Sequence, residues 1–276
     1  MTMVSPAIAV AGSIIGVTWC VQGGAMSEAN WKLLEVAVRH LNRIFVVGPP
    51  GVGKTYAAQH ALKSKQQQVI SITLSEDVVL QELLGHFVPK GGEFVWHDGP
   101  LTTALREGSL VVVNELGRAS SSVKDAMLGV LDSPDVCQIV LPTGEVVQPK
   151  ATFTVIATSN SGVDELDPAL ADRFECVIVV SVPHPGLIAH LNSQVNGLGT
   201  MVKKSYAQES KAISPRAALT FARLTMAGGV DPNEAALVAF GAKGRDVVAA
   251  LKLSGAPVAA TTAAPIGNPM GTASGR

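Results

Sequence analysis

Gly48-Pro-Pro-Gly-Val-Gly-Lys-Thr55 is the stretch that decides the fold of this 276-residue chain. It follows the apolar run Ile44-Phe-Val-Val47 and precedes a helical-looking stretch from Tyr56 to Lys65. Strand, glycine loop and helix, in that order, are the setting in which a phosphate-binding loop works. The glycines let successive backbone N–H groups curl around one anion-sized hollow at the head of a helix. A lysine placed as Lys54 is reaches the outer phosphates, and a hydroxyl placed as Thr55 is can ligate Mg²⁺. Gly48, Pro49, Pro50, Gly51, Val52, Gly53, Lys54 and Thr55, with Tyr56 at the head of the helix, are therefore assigned to nucleotide binding. The expected ligands are ATP and Mg²⁺. A glycine-rich turn with a chance lysine is the competing reading, and it leaves the flanking strand and helix unexplained.

Outward from this loop, apolar strands alternate with helical stretches. Ser27 to Asn42 carries Trp31, Leu34, Val38 and Leu41 at helical spacing. Strands are predicted at Ile44–Val47, Val69–Leu74, Ser109–Val113, Ala151–Thr158 and Cys176–Val180. Helices are predicted at Glu76–Leu84 (capped by Ser75), Leu101–Glu107 and Ser122–Leu131. Cys137–Leu141 and Val146–Gln148 flank Pro142-Thr-Gly-Glu145 and read as a hairpin. Several strands are apolar on both faces, which calls for a buried parallel sheet. The fold class is thus α/β: a five-stranded parallel sheet flanked by helices. Beyond Pro183 and Pro185 the chain reads as all-helical, with helices at Gly186–Asn196, Pro215–Ala227, Pro232–Phe240 and Arg245–Leu253. This gives a nucleotide-binding domain over residues 27–183 and a small all-α domain over 184–254.

Hydrophobic residues make up 47% of the chain and charged residues 16%, a core-building balance. The formal net charge of −1 gives no global field that would recruit nucleic acid or an anionic membrane. Cys20, Cys137 and Cys176 have no CxxC spacing, and an odd count without a framework reads as reduced thiols in a cytoplasmic protein. Ala7 to Trp19 is apolar but shorter than the roughly 20 residues of a membrane span. No Lys or Arg precedes it, so the charged start of a secretory leader is missing. Residues 1–26 are read either as sequence upstream of a natural start at Met26 or as an extra strand or docking arm, the first being preferred. Residues 255–276 are rich in Ala, Pro, Thr, Gly and Ser, and are expected to be a disordered tail.

Further residues along the chain add chemistry. Leu110-Val-Val-Val-Asn114-Glu115 is a hydrophobic strand with a polar end. Beside a phosphate loop, the Glu115 carboxylate can orient and activate the attacking water. Alone it would read as a solvated strand-end glutamate. Asn114 stands where a metal-holding aspartate is usual, and its amide brings no charge. Weaker Mg²⁺ binding and slower hydrolysis are therefore expected, with Thr55 and Asn114 as the residues at the metal. Thr158-Ser-Asn160 ends the fourth strand, where Asn160 either faces the γ-phosphate or serves turn chemistry. Arg173, shortly before the last strand, reads alone as a surface charge. Arg216 follows a helix-starting proline and either folds over the nucleotide or is solvated.

Together these positions resemble the AAA+ ATPases, specifically the MoxR-like and dynein-related group. The resemblance runs from about Leu33 to Ala227 and rests on GPPGVGKT, VVVNELGRA, FTVIATSN, LDPALADRFE and SPRAAL in that order. ELLGHFVPKGGEFVWHDGPLTTALREG is similar to the hairpin insert of this group. The resemblance implies a P-loop AAA+ core with a helical lid. It implies that Asn160 positions the lytic water, that Arg173 is an arginine finger serving a neighbouring subunit, and that Arg216 is a lid sensor. It places Arg118 towards the subunit interface. It further implies a ring, expected to be a hexamer, that hydrolyses ATP to remodel or activate a client protein, often beside a metal-binding von Willebrand A-type partner. Two alternatives stay open at this point. One is a nucleotide-gated binding module with weak hydrolysis because of Asn114. The other is an AAA+ ATPase acting on nucleic acid, which the near-neutral charge does not support. A small-molecule kinase would not need Asn160, Arg173 and Arg216 together. Phe87, Phe94 and Trp96 of the insert either grip a client or pack the hairpin on its own domain.

Overall fold

The computed structural model describes residues 19–20, 28–60, 68–133, 135–160, 166–206, 212–226 and 230–253. Its strands in chain order are β1 (Trp19–Cys20), β2 (Arg43–Val47), β3 (Val69–Thr73), β4 (Gly85–Lys90), β5 (Glu93–Asp98), β6 (Leu110–Asn114), β7 (Ile139–Val140), β8 (Val146–Val147), β9 (Thr154–Ser159) and β10 (Cys176–Val179). The helices are α1 (Ala29–His40), α2 (Lys54–His60), α3 (Leu80–Leu84), α4 (Pro100–Glu107), α5 (Ser121–Leu131), α6 (Pro168–Asp172), α7 (Pro185–Gln194), α8 (Leu198–Ser205), α9 (Pro215–Met226), α10 (Pro232–Phe240) and α11 (Gly244–Leu253). The chain divides into two compact units, Met1–Pro185 and Gly186–Arg276.

In the first unit the main sheet has the order β1-β10-β2-β9-β6-β3, and all its pairings are parallel. Every residue of β2, β6 and β9 is buried, as the two-sided apolar runs require. The edge strand β3 is only partly buried. The five expected strands are β2, β3, β6, β9 and β10. A sixth, the two-residue β1, extends the sheet beyond β10 by pairing Trp19 with Val177 and Cys20 with Ile178. Residues 1–18 and 21–26, where the N-terminal extension was expected, lie outside the described residues, as does the expected tail from residue 255.

The chain leaves β2 and returns at the far edge as β3, and β9 is later inserted between them. The carboxyl ends of β2, β6 and β9 therefore open onto one crevice, the usual location of a ligand in open α/β sheets. One side of the sheet packs into a core built from Phe45, Val47, Leu101, Leu105, Val111, Val113, Met127, Phe153 and Phe174, all buried. Phe45 and Phe174 stack with ring centres 5.1 Å apart.

α3 and α8 differ from the expectations, whereas the insert forms the hairpin that the resemblance implies. The helix expected at Glu76–Leu84 begins only at Leu80, and its N-cap position is Val79, not Ser75. Ser75 instead closes a turn in which its carbonyl accepts from Val78 N–H at 3.3 Å, and the β-branched Val78-Val79 pair stays outside the helix. Between the helices expected at Gly186–Asn196 and Pro215–Ala227 lies a further one, α8, that the sequence analysis does not give. Gly197, in the left-handed region, separates it from α7. Gly199 then lets the two helices close, since a Cβ there would stand 2.2 Å from the Ile188 carbonyl oxygen. The insert is a regular antiparallel hairpin of β4 and β5 turning at Gly91-Gly92, both at positive φ, as a tight two-residue turn demands. Gly99 N–H donates to Leu84 O at 2.9 Å, so pairing alternates from there and Pro89 falls opposite Phe94 at a position that needs no ladder N–H.

The second unit holds α7 to α11, with Leu191, Leu198, Val202, Phe221, Ala235, Val248 and Leu251 among its buried residues. Asp231 caps α10 by accepting from Asn233 N–H at 2.8 Å, which holds its carboxyl below the usual carboxylate range.

Candidate functional site

The loop after β2 is built as its glycines predict. Gly51 and Gly53 both take positive φ (84° and 101°). Gly48 lies so close to the strand-end backbone of β10 that a Cβ would stand 2.0 Å from the Val180 carbonyl oxygen. His184 N–H donates to Val52 O at 2.9 Å and ties the loop's crest to the chain beyond β10. The loop ends in α2, whose first residue is Lys54.

Lys54 is 7% exposed, and its ammonium donates to Gly48 O (2.6 Å), Pro49 O (2.9 Å) and Asn160 Oδ1 (2.7 Å). Burial pulls its pKa down to about 8, partly offset by the Glu115 carboxylate, so at neutral pH it remains a cation. Asn160, just beyond β9, spans two partners. Its Oδ1 accepts from Lys54 and its Nδ2 donates to Glu115 Oε1. Since Lys54 only donates and the carboxylate only accepts, these contacts set which way the amide faces. Glu115 follows β6 in the left-handed region (φ 60°, ψ 42°), the one non-glycine residue with positive φ among the described residues. That uncommon backbone turns the chain sharply into the 3₁₀ turn Leu116–Arg118, with the Glu115 side chain held by Asn160.

Thr55 Oγ1 donates to Asn114 Oδ1 at 2.6 Å. Thr158 Oγ1 donates to the same oxygen at 3.3 Å, while Asn114 Nδ2 donates to Ser71 Oγ (3.1 Å) and Ile72 O (3.3 Å). Ser71 and Thr158 escaped the sequence reading. Thr158 is the register partner of Asn114 on β9, and Ser71 lies two residues before its partner Thr73 on β3, so same-face polar residues in mostly apolar strands were their signal. Also unforeseen is a ring cluster beside the loop. Tyr56 stacks on His60 at 3.8 Å and tilts against His184 at 5.5 Å, and His184 meets Trp31 edge-on at 4.9 Å.

Lys54, Thr55, Asn114, Glu115 and Asn160 thus converge at the carboxyl ends of β2, β6 and β9. Arg173 does not join them. Cys176 pairs with Ile44 and Glu175 N–H donates to Arg43 O, so Arg173 stands beyond the amino ends of the strands. A five-residue strand separates the two ends by roughly 15 Å. There Arg173 lines a cavity of about 250 Å³ with Arg43, Asp132 and Asp172, and its guanidinium lies 3.5 Å from the Asp132 carboxylate. Arg118 is exposed in the turn after Glu115. Arg216 lies in the first turn of α9, in the second unit.

The match to known proteins follows the same residues. Residues 43–174 match the model of the AAA domain, dynein-related subfamily. This stretch of the chain is an AAA domain of that subfamily. The chain is 28% identical over 170 residues to protein NorQ of Paracoccus denitrificans, covering 60% of this chain and 62% of NorQ. It is 27% identical over 224 residues to the denitrification regulatory protein NirQ of Pseudomonas aeruginosa, covering 75% of this chain and 85% of NirQ. The match thus spans less than two thirds of NorQ. A mutant RuvB from Thermotoga maritima superimposes with a TM-score of 0.50 at 16% identity, over 83% of this chain and 70% of the other, a likeness of fold alone. The motifs and the matched stretch thus agree on a dynein-related AAA domain over residues 43–174. Among the described residues, no helix is long and apolar enough to cross a membrane.

Replacing the buried ammonium tests the loop directly. Lys54→Ala is expected to weaken ATP binding by about two orders of magnitude, since one charge-assisted contact to phosphate and its orientation are both lost. Titration with a fluorescent ATP analogue reads this, and an unchanged affinity refutes the phosphate role.

Proposed function

We propose that this chain is a cytoplasmic ATPase that works in a ring, expected to be a hexamer, and uses ATP hydrolysis to remodel or activate a partner protein. The observation that carries the reading is the Asn160 amide held between the Lys54 ammonium and the Glu115 carboxylate. A phosphate-binding cation, a water-orienting amide and a proton acceptor in one contiguous set are what hydrolysis of a γ-phosphate requires.

The residues present fit nucleotide and Mg²⁺ together. The loop's backbone N–H groups would take the phosphates, and Lys54 would exchange its carbonyl partners for phosphate oxygens. Mg²⁺ would be held by the Thr55 hydroxyl, with Asn114 behind it, and supplies charge neutralisation on the phosphate oxygens. This protein set is a neutral hydroxyl and a neutral amide, so it suits a metal arriving with phosphate rather than alone. Glu115 would accept the proton of the water whose oxygen attacks the γ-phosphorus as the bond to the leaving ADP oxygen breaks. Asn160 orients that water and keeps Glu115 in place.

Arg173 is too far from its own Lys54 to serve it, which supports action on the nucleotide of a neighbouring copy. Arg216 is proposed as the lid's sensor. NirQ is a denitrification regulatory protein, and such a role accords with a protein client. A von Willebrand A-type protein is a candidate partner, and nucleic acid is not favoured at a net charge of −1. Negative-stain imaging with and without ATP, paired with a phosphate-release assay, tests the proposal. ATP-dependent rings with turnover support it, and monomers without turnover overturn it.

Asn114 points to attenuated turnover. Asn114→Asp is expected to raise phosphate release by about tenfold at limiting Mg²⁺, because a carboxylate draws the metal more strongly than an amide. The gain has a structural cost. Asp cannot make the bond that Asn114 Nδ2 donates to Ile72 O, and losing it removes about 1 kcal/mol of stability. Faster turnover with a slightly lower Tm is the expected pair of readings, and unchanged turnover across Mg²⁺ concentrations counts against attenuation by Asn114.

A further inference from the structure

The insert hairpin carries a feature that the nucleotide site does not use. His86 and His97 are direct cross-strand partners, both exposed, with ring centres 6.0 Å apart. They share a face with Val88, Val95, Lys90 and Glu93, while Phe87, Pro89, Phe94 and Trp96 occupy the other. Apart from each other, neither imidazole has a hydrogen-bond or ion-pair partner among the described residues.

The backbone beneath the pair is fixed. His86 and His97 fall two positions from the Leu84–Gly99 hydrogen bond, which makes them a hydrogen-bonded pair with Cα atoms about 5.5 Å apart. Next to His97, Asp98 accepts from Trp96 Nε1 at 2.8 Å and from Arg106 Nε at 2.7 Å. Arg106 is gripped in turn by both oxygens of Glu145 at 2.6 and 2.8 Å. Next to His86, Gly85 packs so tightly that a Cβ would stand 2.3 Å from the His97 carbonyl oxygen. The two rings therefore project from the anchored base of the hairpin and not from its tip.

We infer that His86 and His97 form a two-nitrogen site for a borderline divalent cation of the Cu²⁺, Ni²⁺ and Zn²⁺ class. Imidazole nitrogens bind such ions at about 2.0–2.1 Å, so two nitrogens on one ion lie roughly 3 to 4 Å apart. Ring centres at 6.0 Å reach that span when the rings turn their nitrogens inward. No group of three or more His, Cys, Asp and Glu side chains able to hold a metal occurs among the described residues. The pair thus binds on one side of the ion and leaves the other side to water or to a donor from a bound protein. The site lies on the insert and is independent of the nucleotide reading.

Copper serves as the probe because it binds nitrogen sites most tightly of the three ions. The full chain is titrated with CuCl₂ at neutral pH in the presence of excess Mg²⁺, and the bound ion is followed by electron paramagnetic resonance. One equivalent with coupling to two nitrogens is expected. His86→Ala and His97→Ala should each weaken it at least tenfold, the double variant should lose it, and Lys54→Ala should leave it unchanged. Circular dichroism checks the fold, and His86→Gln and His97→Gln replace the alanine variants if the ladder is disturbed. An adventitious ion only, seen as single-nitrogen coupling or as binding that either single variant leaves intact, overturns the site.

Discussion

Arg173→Ala is expected to bind ATP as the unaltered chain does and to lose turnover by about 10³-fold or more. Unchanged binding follows from position. Arg173 stands beyond the amino ends of β2 and β10, while Lys54 and Asn160 sit beyond the carboxyl ends. The size of the loss follows from what an arginine contributes to a transferring phosphoryl group when a neighbour supplies it. Stability should hardly change, because the Arg173–Asp132 pair is 3.5 Å apart with the arginine side chain 40% exposed, and such pairs contribute at most about 1 kcal/mol. Mixing makes the test decisive. A subunit with Arg173→Ala keeps its own Glu115, and one with Glu115→Gln keeps its own Arg173. Neither alone turns over, but a ring containing both joins an intact base to an intact finger at some interfaces. Recovery of phosphate release on mixing is the expected outcome. Normal hydrolysis by Arg173→Ala alone removes the finger assignment.

What could be read from the sequence is mostly what short-range chemistry dictates. The loop at 48–55 was legible because glycine at 51 and 53 has a conformational reason, seen as φ of 84° and 101°. The buried runs of β2, β6 and β9 were legible because a strand covered on both faces has no polar alternation to hide it. Asn160 and Glu115 were found from strand ends, yet their mutual hydrogen bond was not, because it depends on β6 and β9 being neighbours and on Glu115 adopting a left-handed backbone. Ser71 is a more demanding case. Its role as acceptor for Asn114 exists only through the register of β3 on β6, and register is set by the whole sheet. The late start of α3 and the presence of α8 were missed for local reasons. A serine before acidic residues looks like a cap, and Gly199 gains its reason only from the close approach of α8 to α7.

Glu115→Gln carries the other large effect, and its logic is chemical rather than positional. The amide is nearly isosteric with the carboxylate, and it can occupy the same left-handed backbone position after β6. It still offers Asn160 an oxygen to donate to, so that contact survives. What it lacks is a basic oxygen for the water's proton. General-base assistance typically contributes 10²–10⁴-fold, and a fall in turnover of about 10³-fold is expected. Binding should move the other way. The Glu115 carboxylate is close enough to Lys54 to raise its pKa, so it also opposes a phosphate anion placed beside that lysine. Removing the charge should leave ATP affinity equal or higher, and rings trapped with ATP should persist through imaging. Glu115→Asp separates the two roles, since it keeps the charge but withdraws it by one methylene. Turnover between that of the unaltered chain and that of the Glu115→Gln variant, with no gain in affinity, is expected from a base whose reach matters. A strand-end glutamate with no chemical part would leave the rate unchanged in both variants, measured as phosphate released per subunit at saturating ATP.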